Sequence, residues 1–214
     1  MSFINNMDCC LQANINQRLT ANVLKEMVTS FLLSHDSNGI VGYEVMYGSS
    51  RRVADMVFIS KGHSYAIEIK SEFDTIARLK GQLQEYNTLF DYILIFSAPK
   101  HIDAINEVLP EYVGLYSINE SGIMRKQRKK LNRHVQKSEM LISIPSMTVK
   151  KDFSVKGKLT SDEIRSAVLK RSFKTIHDYF INYCKERLST RKSQSNTKSS
   201  ATVNELLEDY IIIR

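Results

Sequence analysis

Arg51-Arg52-Val53-Ala54-Asp55, then Ala66-Ile67-Glu68-Ile69-Lys70-Ser71, then Gln82 and Tyr86, form the stretch whose reading decides the fold. Val53 to Ile59 and Tyr65 to Ile69 are rich in β-branched and aromatic residues, and Ser60-Lys61-Gly62-His63-Ser64 between them reads as a hairpin connection. Hairpin strands are antiparallel, so Asp55 comes beside Glu68 or Lys70, to within about one residue pair of register. Side chains alternate along a strand, which puts Glu68 and Lys70 on one face and Ile67 and Ile69 on the opposite, buried one. Charged groups inside an apolar strand are costly unless they are paired or bound to a metal. An exposed edge strand, with Asp55 paired to Arg51 or Arg52, would account for the same residues without any chemistry.

Upstream, Val23, Leu24, Met27, Val28, Phe31 and Leu32 make a helical stripe over residues 19–34, with Glu26 turned to solvent. The turn cluster His35 to Gly39 ends that helix. Ile40 to Tyr47 reads as a strand with Gly42, Glu44 and Met46 on one face. Downstream, Asp74 is placed to cap a helix carrying Ile76, Leu79, Leu83, Tyr86 and Phe90. On that helix Gln82 lies one turn from both Arg78 and Tyr86. Tyr92-Ile93-Leu94-Ile95-Phe96 is a continuous apolar run, expected of a strand covered on both faces. A short helix, His101 to Leu109, and a strand, Val113 to Ile118, follow. This order predicts an α/β core with a central mixed β-sheet flanked by helices.

Beyond it, Asn119 to Gly122 looks like a turn, and the basic run from Met124 to Lys137 begins as a returning strand. Thr160-Ser161-Asp162-Glu163 is a capping-box pattern, expected to open one long helix with Ile164, Val168, Ile176, Tyr179, Phe180 and Tyr183 inside. The expected organisation is an α/β core over 1–120, a basic, mainly helical extension over 121–188, a Ser/Thr/Lys-rich flexible linker over 189–202, and a short docking segment over 203–214. That last segment could dock on the body or on another chain, which would make a homodimer.

The chain has 214 residues and a net charge of +7, unevenly spread. Residues 1–120 hold 9 Lys and Arg against 14 Asp and Glu, whereas residues 121–200 hold 20 against 6. A basic region beside an acidic site points to a polyanionic partner, since lysines and arginines on phosphates release condensed counterions. The expected partner is nucleic acid, with Arg125, Lys126, Arg128, Lys129, Lys130 and Arg133 as a phosphate clamp; a solvated edge strand is the plainer reading of the same run. No window is apolar enough for a membrane span. Met1 to Gln17 does not read as a secretory signal. Cys9, Cys10 and Cys184 have no ligand-like spacing, so a reduced, cytoplasmic setting is expected. His63 reads as a turn residue, and His101, His134 and His177 show no ligand spacing.

Asp55 in one strand, Glu68-x-Lys70 in the next and Gln82-x-x-x-Tyr86 on the following helix resemble the PD-(D/E)XK nuclease superfamily, which has a restriction-endonuclease-like fold. Arg52-x-x-Asp55, Glu68-Ile69-Lys70-Ser71, Asp74-Thr75, Arg78-Leu79 and Gln82 with Tyr86 look like a small bacterial and phage family within it. The resemblance covers roughly Tyr43 to Ile118 and not the basic C-terminal part. Ala54 stands where the superfamily's name has proline. The resemblance implies a metal-dependent nuclease hydrolysing phosphodiester bonds, most naturally in DNA, in phage or bacterial defence or repair. In that reading Asp55 and Glu68 hold Mg²⁺ or Mn²⁺, Lys70 is catalytic and Glu44 supplies the upstream acid. Gln82, Tyr86 and Arg52 then help to place the substrate or support the site. Members with an iron–sulfur cluster need four cysteines, so no cluster is expected in a chain with 3. The alternative from a different class is a non-catalytic nucleic-acid-binding or regulatory protein on the same fold.

Overall fold

A computed structural model describes residues 20–197 and 211–212. Helix α1 (Ala21–His35) opens on Thr20, whose hydroxyl accepts the amide of Val23. An antiparallel meander follows: β1 (Ile40–Tyr47), β2 (Arg52–Ser60) and β3 (His63–Lys70). Lys61 and Gly62 between β2 and β3 both have positive φ, 49° and 77°, the two-residue turn whose twist matches the strands it joins. Helix α2 (Leu79–Leu89) crosses over to β4 (Tyr92–Ser97), parallel to β3. A short 3-10 turn and α3 (Ile102–Val108) lead to β5 (Gly114–Asn119), parallel to β4, and β6 (Gly122–Gln127) returns antiparallel. The expected mixed α/β architecture is thus present.

Four further helices complete the described chain: α4 (Lys137–Ile142), α5 (Ser146–Asp152), α6 (Ser161–Leu169) and α7 (Phe173–Thr197). The sheet order is β6-β5-β4-β3-β2-β1-β7, where β7 is the pair Ile211–Ile212 lying parallel to Val45 and Met46. The rest of the expected docking segment lies outside the described residues. No helix among the described residues is long and apolar enough to cross a membrane.

The central strands are apolar on both sides because both sheet faces are covered. On one face Leu24, Val28 and Leu32 of α1 pack against Met56, Phe58, Ile67, Ile69, Leu94 and Phe96. On the other, Val57, Ile59, Ala66, Ile93 and Ile95 meet Leu83 and Tyr86 of α2 and the buried residues of α4 to α7. Met140, Leu141, Val149, Ile164, Ile176 and Phe180 belong to that second layer, so the basic C-terminal part covers the sheet itself.

Four local expectations need correction. The helix expected from Thr160 to Tyr183 is two, because Ser172 starts a new one, its Oγ accepting the amide of Thr175 at 3.1 Å. The break escapes notice because the apolar positions stay in phase across it. The stretch expected as a linker from Ser189 is helical as far as Thr197; it contains no Pro or Gly to stop α7, and 198–202 lie outside the described residues. Asp74 does not cap α2, which begins at Leu79 with no side-chain cap. Its carboxylate instead accepts the amide and hydroxyl of Ser71 at 2.7 and 2.6 Å, pinning the turn after β3. Finally, Gly42 and Glu44 do not lie together on one face. A Cβ at Gly42 would strike Leu188 of α7, whereas Glu44 pairs with Lys25 of α1, on the opposite side.

Candidate active site

The site begins where the β-ladder fails. Tyr43 pairs with Met56 and Val45 with Ala54, but the rung between them, Glu44 opposite Asp55, is skipped. Glu44 sits at φ 47°, the left-handed region that a β-carbon disfavours and that persists only when its surroundings enforce it. Alternation inverts across this rung: Val41 faces the α1 layer, whereas Val45 and Tyr47 face the α2 layer. The β2–β3 pairing ends at the same level, with Met56 opposite Ile67. Continued, it would put Asp55 opposite Glu68. Instead the Asp55 carboxylate accepts the Ile69 amide at 2.8 Å. A side chain thus replaces the backbone acceptor lost where the strands part.

Glu68 and Lys70 point to the α2 face and Ile67 and Ile69 to the α1 face, as strand alternation requires. Glu68 is 1% exposed and Lys70 7%. The Lys70 ammonium donates to Glu68 Oε1 at 2.7 Å, and Gln82 Nε2 donates to the same oxygen at 2.6 Å. The Tyr86 hydroxyl donates to Oε2 at 2.6 Å. Lys70 also reaches the Gln82 side-chain carbonyl at 3.4 Å. Spaced one turn apart on α2, Gln82 and Tyr86 therefore grip the Glu68 carboxylate. Burial first, and then the Glu68 charge, push the Tyr86 phenol well above its usual range, keeping it a donor.

Asp55 is the electrostatically unusual member. Burial raises its pKa, the neighbouring Glu68 and Glu44 charges add to the effect, and the Ile69 amide and Lys70 oppose it; the outcome is about 7. Asp55 thus feels the charges of two neighbouring carboxylates, Glu68, which pairs with Lys70 on the α2 face, and Glu44, which pairs with Lys25 toward α1. Mg²⁺ is commonly held by one or two carboxylates, with water and substrate phosphate filling the remaining positions. Asp55 and Glu68 fit that role. A carboxylate accepts about four hydrogen bonds, so the three that Glu68 receives still leave Oε2 a position. Lys70, Ser97 and Asn119 end β3, β4 and β5 on the same side of the sheet. The carboxyl ends of parallel strands are where open α/β sheets present their ligand crevice.

The other expected residues lie elsewhere. Arg52 does not pair with Asp55; its Nε lies 2.7 Å from Glu85 Oε1 on α2. The basic run does not converge on the carboxylates either. Arg125 and Lys126 are exposed on β6, and the chain then runs toward the amino ends of β3 and β4. Lys129 sits over the rings of Tyr65 and Tyr92, 5.5 and 5.4 Å from their centroids. Tyr65 is five residues from Lys70 along β3, about 16 Å of strand. Lys130 pairs with Glu111 at 2.8 Å, and Arg128 and Arg133 are exposed. The sequence reading missed one polar cluster altogether, at that same amino end. His63, Asp91 and His177 come together there although the sequence separates Asp91 from His177 by 86 positions. No spacing rule detects such a group, because α7 brings in the third member from a distant part of the chain.

The structure is similar to that of SPO1766, a protein of unknown function from Silicibacter pomeroyi, with a TM-score of 0.43 at 16% identity, covering 64% of this chain and 94% of that one. Protein cII of Enterobacteria phage P4 is 28% identical over 160 residues, 71% of this chain. The match spans 60% of that relative's own length. The family model described as bacteriophage P4 protein cII matches residues 13–207, which takes in the carboxylate cluster, the sheet and the C-terminal helices. The chain belongs to the bacteriophage P4 protein cII family.

Proposed function

We propose that the chain is a metal-dependent phosphodiesterase acting on nucleic acid, with DNA as the first substrate to test. The observation that carries this reading is the meeting of Asp55, Glu68 and Lys70 at the parting of β2 and β3, in the order found in PD-(D/E)XK nucleases. Asp55 and Glu68 would hold Mg²⁺ or Mn²⁺, and Glu44 lies close enough to add to the negative field at Asp55. When bound, the ion supplies charge against phosphate oxygens and acidifies a water. Lys70, already a donor in the cluster, would orient that water or offset charge gathering on phosphorus. Gln82 and Tyr86 hold Glu68 in place, and Arg52, half-exposed, would have to leave its ion pair with Glu85 to reach a phosphate. The test is cleavage of labelled single- and double-stranded DNA with Mg²⁺ or Mn²⁺, with Lys70→Ala and Asp55→Ala as controls. Cleavage that needs the metal and both residues sustains the reading; activity surviving Asp55→Ala would sink it.

A second reading is a non-catalytic nucleic-acid-binding or regulatory protein on this fold. The family match is compatible with it and lends hydrolysis no support. The placement of the basic run away from the carboxylates also favours it, since binding would then use a different part of the surface. Salt-dependent DNA binding with no cleavage under any divalent ion would select this second reading.

A further inference from the structure

At the end of the sheet opposite the carboxylates, β3 begins at His63, Asp91 lies just before β4, and His177 reaches in from the second turn of α7. His177 Nε2 is 2.9 Å from Asp91 Oδ1 and 3.0 Å from Oδ2. His63 Nδ1 is 3.8 Å from Oδ2, too far for a hydrogen bond. The three ligand atoms all lie within 4.8 Å of one another. In a tetrahedral zinc site with bonds of about 2.0–2.1 Å, neighbouring ligand atoms stand roughly 3.3 Å apart. The Asp91–His177 and His63–Asp91 separations bracket that spacing, and the widest separation must close by up to about 1.5 Å for an ion to bind.

Ion pairing of Asp91 with His177, and at 3.8 Å with His63, would account for the charges and still leave His63 without a hydrogen bond. His63 Nδ1 is buried and has no hydrogen-bond partner, a condition native structures seldom tolerate without a cause. Its ring is packed edge-on to Tyr92 at 5.4 Å and to His177 at 6.4 Å, which aims the nitrogen inward. Phe173 stacks on His177 at 5.7 Å and fixes that ring too. Asp91 is 4% exposed, and its Oδ2 is held by the Ser64 amide at 2.8 Å and the Ser64 hydroxyl at 3.0 Å. Hydrogen bonds to a carboxylate of this kind orient it as a metal ligand.

We propose that His63, Asp91 and His177 form a second metal site, one for Zn²⁺, that fastens α7 to the amino ends of β3 and β4. Two imidazoles and one carboxylate suit zinc and its first-row neighbours, not the oxygen-seeking Mg²⁺ of the other site. The His63 side chain is 39% exposed, so an ion can enter from solvent and a water can complete four-coordination. This site does not depend on the nuclease reading.

The test uses the full chain, stripped with chelator and titrated with Co²⁺ as a visible reporter, then with Zn²⁺ as competitor. With Mg²⁺ present throughout to occupy any oxygen-ligand site, the expected result is a four-coordinate Co²⁺ spectrum that Zn²⁺ displaces. His63→Ala should weaken the affinity read from that spectrum by at least about tenfold, while Asp55→Ala leaves it unchanged. His63→Ala is the deciding variant because it spares the Asp91–His177 hydrogen bond, and its metal-free melting curve checks that it folds. Should it fail to fold, His63→Gln takes its place, and Zn²⁺ should raise the melting temperature of the wild type only. Absence of the four-coordinate spectrum in the wild type, or its survival at unchanged affinity after loss of the His63 imidazole, overturns the proposal.

Discussion

At the carboxyl end of β3, Glu68 is 1% exposed and shares its surroundings with Asp55; beyond its amino end, Asp91 is 4% exposed and faces His177. Both carboxylates are buried, and both are held by several donors. Their neighbours differ in sign. Burial and the Glu68 charge carry Asp55 up to about 7. Burial also works to raise Asp91, but His177 and the Ser64 amide outweigh it, and its pKa falls below the ordinary value. At one end of the strand Lys70 pairs with Glu68 and leaves Asp55 without a cationic partner of its own, whereas at the other His177 pairs with Asp91 directly. The difference separates a carboxyl kept from ionising at neutral pH from one held ionised by a histidine.

The comparison breaks most visibly if the cation paired with Glu68 is removed. Lys70→Met leaves a buried glutamate without its charge partner, and urea unfolding should show a loss of about 3–5 kcal/mol. Tyr86→Phe removes one hydrogen bond to the same carboxylate and should cost about 1.5–3 kcal/mol by the same measurement.

The pH dependence of the two ends should run in opposite directions, measured by thermal melts in chelator. Asp55 has a folded pKa above its unfolded one. Its favourable contribution is present below the ordinary value of 3.8 and is lost as pH rises through about 7. Asp55→Asn keeps an oxygen for the Ile69 amide and cannot ionise, so it should match the wild type in acid and be the more stable above neutrality. Asp91 has a lowered folded pKa, so its contribution is present above the ordinary value of 3.8 and is lost as pH falls through the folded value. Asp91→Asn should therefore be destabilised at neutral pH, and the deficit should close in acid. Matching pH profiles for the two variants would refute the contrast.

The smallest effect concerns the basic run. If Arg125, Lys126 and Arg128 contact phosphates, replacing one of them by Ala should lower the slope of log affinity against log salt by about 0.9. An unchanged slope would leave that edge a solvated one.

The carboxylate end was largely readable before any coordinates. Asp55, Glu68 and Lys70 lie on two strands joined by a two-residue turn, and Gln82 and Tyr86 lie on the next element, so short-range periodicity suffices to bring them together. The inversion at Glu44 was not readable, because a skipped rung has no side-chain signature when alternation resumes beyond it. From sequence Arg52 reads as a partner for Asp55 or for phosphate; its pairing with Glu85 depends on where α2 packs.

Local patterning by itself determined the order of helices and strands through β6, the shared face of Glu68 and Lys70, and the capping box at Thr160, because each depends on residues within a few positions of one another. Only the tertiary structure decided that the basic C-terminal helices cover the sheet and that the basic run leads away from the carboxylates. It alone brought His177 to Asp91 and His63. Those outcomes depend on which surfaces bury one another across long stretches of chain, and residue spacing carries no record of that choice.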